Sequence, residues 1–233
     1  MKKSLFLLTL FLPVMMAAQD VFPDFFNWRE SFRYVADDGS AVVVRTEPGN
    51  ETYLVTAEML SNGDVSVRLE SDITVVSGNG ASTVMPDSFL QAYFASAGGE
   101  GPLRYSYVWE NPRMAVERSY AGDPPDDLDT HPYRRAGNGK GVYDVLSVMA
   151  RLRQGGGFSD MVGATVVHAG RQYFVSGVRR VLSYSGDGTV AHYTVGLYQK
   201  NFISLSVESD GYHRPVGFEI RMDKHRIKGR LAE

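Results

Sequence analysis

The sequence predicts a mainly β fold: a curved antiparallel sheet, a barrel or half-barrel, with one main helix over about residues 144–154 packed against it. Three observations carry that prediction. Segments rich in Val, Tyr, Phe and Thr recur along the chain and are divided by turn residues at intervals of about eight to twelve positions. The clearest set of helix signals falls in the middle, which gives the order strands, helix, strands. There is no cysteine, so the core must rest on apolar burial, which a chain of 233 residues can supply.

The strands begin at Ser31–Ala36, Ala41–Thr46, Thr52–Leu60 and Asp64–Leu69. Between them lie Asp38-Gly39, Pro48-Gly49-Asn50 and Asn62-Gly63, residues that preset or tolerate tight turns and so favour hairpins. Val65, Val67 and Leu69 alternate with Ser66, Arg68 and Glu70, which puts one face of that strand on a core and the other in water. Pro86–Ala97 is ambiguous: Pro86-Asp87-Ser88 can start a helix carrying Phe89, Leu90, Tyr93 and Phe94 at helical spacing. Strands follow at Leu103–Trp109 and Arg113–Tyr120. Ala121–Gly141, with its Pro, Asp and Gly residues, reads as a long polar loop.

Asp144 stands where an N-cap belongs, and Val145, Leu146, Met149 and Leu152 give an apolar stripe behind it. Arg151 and Arg153 fall in the last turn, and Gly155-Gly156-Gly157 ends the helix. Strands return at Ala164–His168, Gln172–Tyr184, Val190–Tyr198, Phe202–Glu208, Val216–Met222 and Arg226–Leu231, with turns at Gly186-Asp187-Gly188 and Asp210-Gly211. The domain plan is a signal peptide over 1–18 and a single β-rich domain over 19–233, or two β halves joined by the 121–141 loop.

The leader follows from physical chemistry. Lys2 and Lys3 precede an apolar run from Leu5 to Met16, and small Ala17 and Ala18 precede polar Gln19. That is the layout of a cleaved secretory signal, and the run is short for a span, which needs about 20 residues. With no cysteine to lipidate, the expected product is free in the periplasm of a Gram-negative cell envelope and is not an integral membrane protein. The net charge is −3, and loss of Lys2 and Lys3 with the leader leaves −5, which argues against nucleic acid as a partner.

Two segments carry a family resemblance. One is Gly141-Val142-Tyr143-Asp144-Val145-Leu146-Ser147, continuing to Arg151-Leu152-Arg153. The other is Val207-Glu208-Ser209-Asp210-Gly211-Tyr212-His213-Arg214-Pro215-Val216-Gly217-Phe218-Glu219, with Gly229 and Leu231 beyond it. Together they resemble the exported bacterial domain-of-unknown-function family numbered 3108. The resemblance is specific in the C-terminal half and loose before about Trp109. It implies a signal peptide, an envelope location and a β-rich fold, and no activity. Val145 stands where members commonly carry proline, and Met149-Ala150 where an aromatic pair is common. A more distant likeness, at fold level only, is to the periplasmic lipoprotein-carrier half-barrels.

Candidate chemistry is sparse. Asp127, Asp129 and His131 alternate like the start of a calcium loop, but Pro132 and Asn138 occupy the positions of the turn glycine and the bidentate glutamate. The Gly137–Gly141 cluster around Lys140 lacks the spacing of a phosphate-binding loop. His131, His168, His192, His213 and His225 show no metal-ligand spacing, and no G-x-S-x-G or S-x-x-K is present. The sequence therefore points to no cofactor, no metal and no catalytic residue. The candidate binding set is Tyr143, Asp144, Ser147, Arg151, Arg153 and Arg214. Asp144 and Ser147 can serve simply as the helix cap, and the arginines can snorkel or pair with carboxylates. Alternatively Arg151 or Arg153 faces a groove and holds an anionic headgroup or sugar acid; about 200° separates the two on the helix, so one of them points inward. Tyr173, Phe174, Tyr184, Tyr193 and Tyr198 can line such a groove or fill the core.

Three functions follow. The first is a non-catalytic binder of an amphipathic ligand, a lipid or glycan intermediate, held in a concave sheet closed by the helix. The second is an assembly module for other envelope proteins, which calls for a flat exposed apolar patch. The third is a hydrolase of envelope glycans or esters, which calls for a Ser–His or carboxylate pair in a cleft.

Overall fold

A computed structural model describes residues 28–36, 38–49, 52–61, 63–78, 81–93, 103–110, 113–120, 126–131, 141–155, 161–168, 171–186, 188–197, 200–209, 212–222 and 225–232. The expected leader and the Gly137–Lys140 cluster lie outside them. The N-terminal strands are β1 (Glu30–Ala36), β2 (Ala41–Pro48), β3 (Thr52–Ser61), β4 (Asp64–Gly78), β5 (Ala81–Tyr93), β6 (Leu103–Glu110), β7 (Arg113–Tyr120) and β8 (Asp126–His131). Then come β9 (Val142–Tyr143), the helix α1 (Val145–Arg153) and β10 (Thr165–His168). The chain ends with β11 (Arg171–Ser185), β12 (Gly188–Leu197), β13 (Lys200–Glu208), β14 (Pro215–Met222) and β15 (His225–Leu231).

All these strands belong to one sheet, ordered β8 to β1, then β15 down to β9. Each hairpin pairs neighbours in sequence, and the antiparallel pairing of β1 with β15 (Tyr34 opposite Leu231) joins the two runs. β9 and β10 are the parallel pair, and α1 is the crossover between them. The sheet is curved and not closed. Its β9 edge comes up against β5, three strands in from the opposite edge at β8. The helix lies in the concavity, touching β3, β4 and β5 on one side and β9, β10 and β13 on the other.

The predicted fold class is therefore the observed one, with two corrections. Pro86–Tyr93, open to a helical reading, is strand. Its proline is accommodated because the register slips there: Asp72 faces Ser88 and Ile73 faces Pro86, leaving Asp87 as the extra residue of a bulge. The expected loop Ala121–Gly141 is interrupted by β8, so Asp127, Asp129 and His131 fall on an edge strand and not on a calcium-type loop. Elsewhere the turn chemistry works as expected. Gly39 and Gly63 adopt φ of 81° and 91°, a region costly for residues with a Cβ.

The inward faces meet in a core that includes Tyr34, Tyr53, Ile73, Leu152, Ile203 and Leu205, each almost wholly buried. At the β1–β15 junction the Tyr34 ring meets Phe218 edge-on at 5.0 Å, and its hydroxyl donates to the Pro215 carbonyl at 3.0 Å. That packing requires glycine at 229: a Cβ there would lie 2.7 Å from Phe218 and 2.9 Å from Tyr34. Gly229→Ala is therefore expected to lower stability by about 1–3 kcal/mol through overpacking, as read by urea denaturation. Gly217→Ala, whose Cβ would meet nothing closer than 3.4 Å, is expected to cost less and serves as the comparison.

Candidate functional site

The site is built on α1. Asp144 has the extended backbone of an N-cap, and its carboxylate accepts from the Ser147 amide at 2.7 Å and the Ser147 hydroxyl at 2.5 Å. The Asp144 amide donates back to Ser147 Oγ at 2.9 Å, which completes a capping box with serine in place of the usual glutamate. This pair is buried against β4, where the Ser71 hydroxyl stands near the carboxylate without making a hydrogen bond of normal geometry. Burial raises the Asp144 pKa to about 6, against the opposing pull of the Ser147 hydrogen bonds.

The other end of the helix lies at the open rim. Arg153 there is 6% exposed and forks onto Glu30 of β1, with guanidinium nitrogens 2.5 and 2.9 Å from its two oxygens. Its Nε donates to the His213 carbonyl at 2.9 Å. His213 Nδ1 in turn lies 2.8 Å from the Arg153 carbonyl, so the proton is placed on Nδ1 and the last turn of the helix is capped from the β13–β14 connection. His213 reaches this position with φ of 50°, and Gly155 makes room for it: a Cβ at 155 would lie 2.8 Å from the imidazole. The guanidinium also stands 5.7 Å from the Phe32 ring centroid.

Three cavities run along the seam between α1 and the sheet. The innermost, about 30 Å³, lies among Val42, Val44, Met59, Leu146, Met149 and Phe218. The next, about 40 Å³, lies among Phe32, Tyr34, Val55, Leu146, Met149 and Ala150, and it reaches Arg153 and Pro215. Val44, Leu146 and Met149 border both. The outermost is an open vestibule of about 530 Å³ between Trp28, Glu208, Tyr212 and Arg214, with Glu30, Phe32 and Arg153 as its floor. Phe32 and Arg153 therefore separate a charged, aromatic mouth from an apolar slot. The Tyr53 hydroxyl stands beside Thr46 and Arg153 at the slot's end, and burial lifts its pKa to about 12.

Of the residues singled out from sequence, Arg153 and Arg214 come together at the vestibule. Arg214 there is held by Glu208 through two hydrogen bonds of 2.8 and 2.6 Å. Asp144 and Ser147 sit at the far end of the helix, engaged with each other. Tyr143 is buried in the core beside them. The expectation that one of Arg151 and Arg153 points inward needs correcting, because both are buried: the sheet wraps the helix on two sides. Arg153 alone of the two borders the cavities, while Arg151 donates to Gln154 Oε1 at 3.0 Å. Tyr193 is buried, Tyr173 packs against the core, Phe174 and Tyr184 are exposed, and none of them borders these cavities; Tyr198 lies outside the described residues.

Sequence reading missed Trp28, Glu30 and Tyr212. A signal for Glu30 was present: Glu30, Phe32 and Tyr34 alternate on one face of β1 with Trp28 two residues ahead, and a carboxylate beginning an otherwise aromatic inward stripe calls for a buried cation. His192 bridges Ser183 (2.7 Å) and Ser206 (2.9 Å), but on the exposed outer face and outside these cavities, not in the cleft a hydrolase would need. Of the exposed apolar residues on β11, Leu182 and Tyr184 share one strand face and Val181 lies on the other. Among the described residues no three His, Asp or Glu side chains gather as metal ligands, and no helix is long and apolar enough to cross a membrane.

Fold and site together define a class: an open, curved antiparallel sheet wrapped around one buried helix, with an apolar seam that opens at a charged mouth. Among solved structures the chain is similar to a β-barrel-like protein of a domain of unknown function, DUF1849, from Brucella abortus. The likeness is 11% in sequence and 0.40 in TM-score, over 88% of this chain and 95% of the other. No family model matches the chain, and no curated protein matches it. The resemblance to family 3108 thus rests on the two segments quoted above.

Two outcomes are expected at this site. Arg153→Met strands the Glu30 carboxylate, which is only 15% exposed, and should cost about 3–5 kcal/mol in urea denaturation; adding Glu30→Met should restore much of it. Asp144 holds its proton more tightly in the folded chain (pKa about 6) than unfolded (3.8). The stability it contributes is therefore full below about pH 4, declines as pH rises through 4–6 and is level above. Against Asp144→Asn, which keeps a cap but does not titrate, the wild type should lose roughly 3 kcal/mol between pH 3.5 and pH 7.

Proposed function

We propose that this chain is an exported envelope protein of a Gram-negative bacterium, delivered to the periplasm by its N-terminal leader, that binds an amphipathic lipid or glycan intermediate without transforming it. One observation carries the reading. Apolar cavities lie in line between α1 and β1–β3, and they open beside a polar vestibule of about 530 Å³, within the usual range of ligand sites. A ligand with an apolar chain and a polar head matches that sequence of environments. The slots at about 40 and 30 Å³ take only a few methylene groups as they stand. Met149 borders both, and it is the half-buried member of an otherwise buried helix. Its unbranched thioether can change rotamer at low cost, joining the slots as a longer chain enters. The walls of both slots are mainly apolar, so an alkyl chain that fills them meets few polar groups.

The test is recovery of the mature protein from a periplasmic extract, followed by native and denaturing mass spectrometry. A polypeptide lacking residues 1–18, accompanied by a stoichiometric amphiphile, is expected. Ala150→Leu places a larger side chain into the outer slot and should lower retention of that amphiphile by at least about tenfold. Wild-type protein that carries no lipid or glycan, or full-length protein confined to the cytosol, would contradict the proposal.

A further inference from the structure

We infer that the vestibule selects an uncharged sugar ring, not an anionic headgroup, as the polar part of its ligand; this rests on the amphiphile-binding reading above. The charge at the mouth is already spent. Arg153 directs two nitrogens at Glu30 and its third at the His213 carbonyl, and Arg214 directs Nε and a terminal nitrogen at Glu208. Among the described residues, two guanidinium and two carboxylate groups face the vestibule, and their formal charges balance. A phosphate or carboxylate entering it would have to displace a glutamate from a bidentate fork, or lie beside two carboxylates while losing its own water.

The remaining walls suit a sugar. Trp28 and Tyr212 are 36% and 64% exposed, and their rings, with centroids 5.7 Å apart and planes at 45°, form an open wedge at the rim. Aromatic faces carry partial negative charge and attract the C–H faces of a pyranose ring, while its edge presents hydroxyls. Carboxylate oxygens have lone pairs beyond those a guanidinium fork uses, so Glu208 can accept from those hydroxyls without losing Arg214. The vestibule thus offers stacking and hydrogen-bond acceptance without net charge.

Calorimetric titration of the mature protein with dodecyl maltoside, dodecyl phosphate (both below their micelle concentrations) and maltose tests this. Dodecyl maltoside is expected to bind about tenfold tighter than dodecyl phosphate. The double variant Trp28→Ala/Tyr212→Ala should bind the two dodecyl compounds alike, while Trp28→Phe, which keeps a stacking face, should retain the preference. Maltose binding as tightly as dodecyl maltoside would support the sugar site and identify a free glycan as its source; weaker maltose binding points to a glycolipid. Dodecyl phosphate binding as well as or better than dodecyl maltoside overturns the inference and leaves the amphiphile reading standing. Failure of both dodecyl compounds to bind overturns that reading itself.

Discussion

Arg153 and Glu30 meet inside a sheet whose other inward residues are mostly apolar, and the arrangement of the interior turns on that meeting. Glu30 opens the first described strand and Arg153 closes the helix, so one fork ties the start of the sheet to the end of α1. The same guanidinium holds the His213 carbonyl, and His213 returns a hydrogen bond to the helix. Three segments distant in sequence are thereby fixed at one point. Isolated buried ion pairs are weak evidence for net stability, because desolvation offsets their attraction. What this pair supplies is position: an apolar contact would let α1 slide along the smooth concave face, whereas a two-pronged fork admits one placement.

That placement decides where the cavities fall. A short helix inside a sheet of fifteen strands cannot fill the concavity evenly. Its capping box is buried at β4, and its large residues Leu146 and Leu152 pack against the sheet. Ala150 and Met149 face the β1–β3 side, and the space beside these small or flexible side chains is the slot. The sheet contributes by failing to close: with β9 lying against β5 and not hydrogen-bonded to β8, the strands have no barrel geometry to satisfy and can spread around whatever the helix presents.

Local chemistry made much of this fold legible in the sequence. Turn residues such as Asp38-Gly39 and alternating runs such as Val65–Glu70 act over a few positions, and the hairpins they specify are those observed. Asp144 was readable as a cap because capping involves residues three apart. The open and mistaken readings arose where distant partners override local preference. Pro86 belongs to a strand only because β5 bulges at Asp87 as it pairs with β4, and Asp126–His131 becomes strand only because β7 offers an edge. At the site the same limit applies with more force. Arg153 and Glu30 are 123 positions apart, and nothing local to the helix says whether its arginine meets a ligand or a glutamate.

The answer to that question changes what the mouth can recognise. A lone buried arginine is a receptor for anions, and the helix read by itself suggested one. Paired with Glu30, it becomes part of the wall. Its counterpart at the rim, Arg214 with Glu208, has the same form on a more exposed footing, with arginine and glutamate side chains 51% and 27% exposed. The two forks hold the polar surface of the vestibule in fixed directions before any ligand arrives, and the Trp28–Tyr212 wedge stands between them and solvent. Preorganised neutral polarity of this kind discriminates by shape and hydrogen-bond direction, not by attraction at a distance. Under the proposed amphiphile reading, affinity then comes from the apolar seam behind it, and slot and vestibule act as one site.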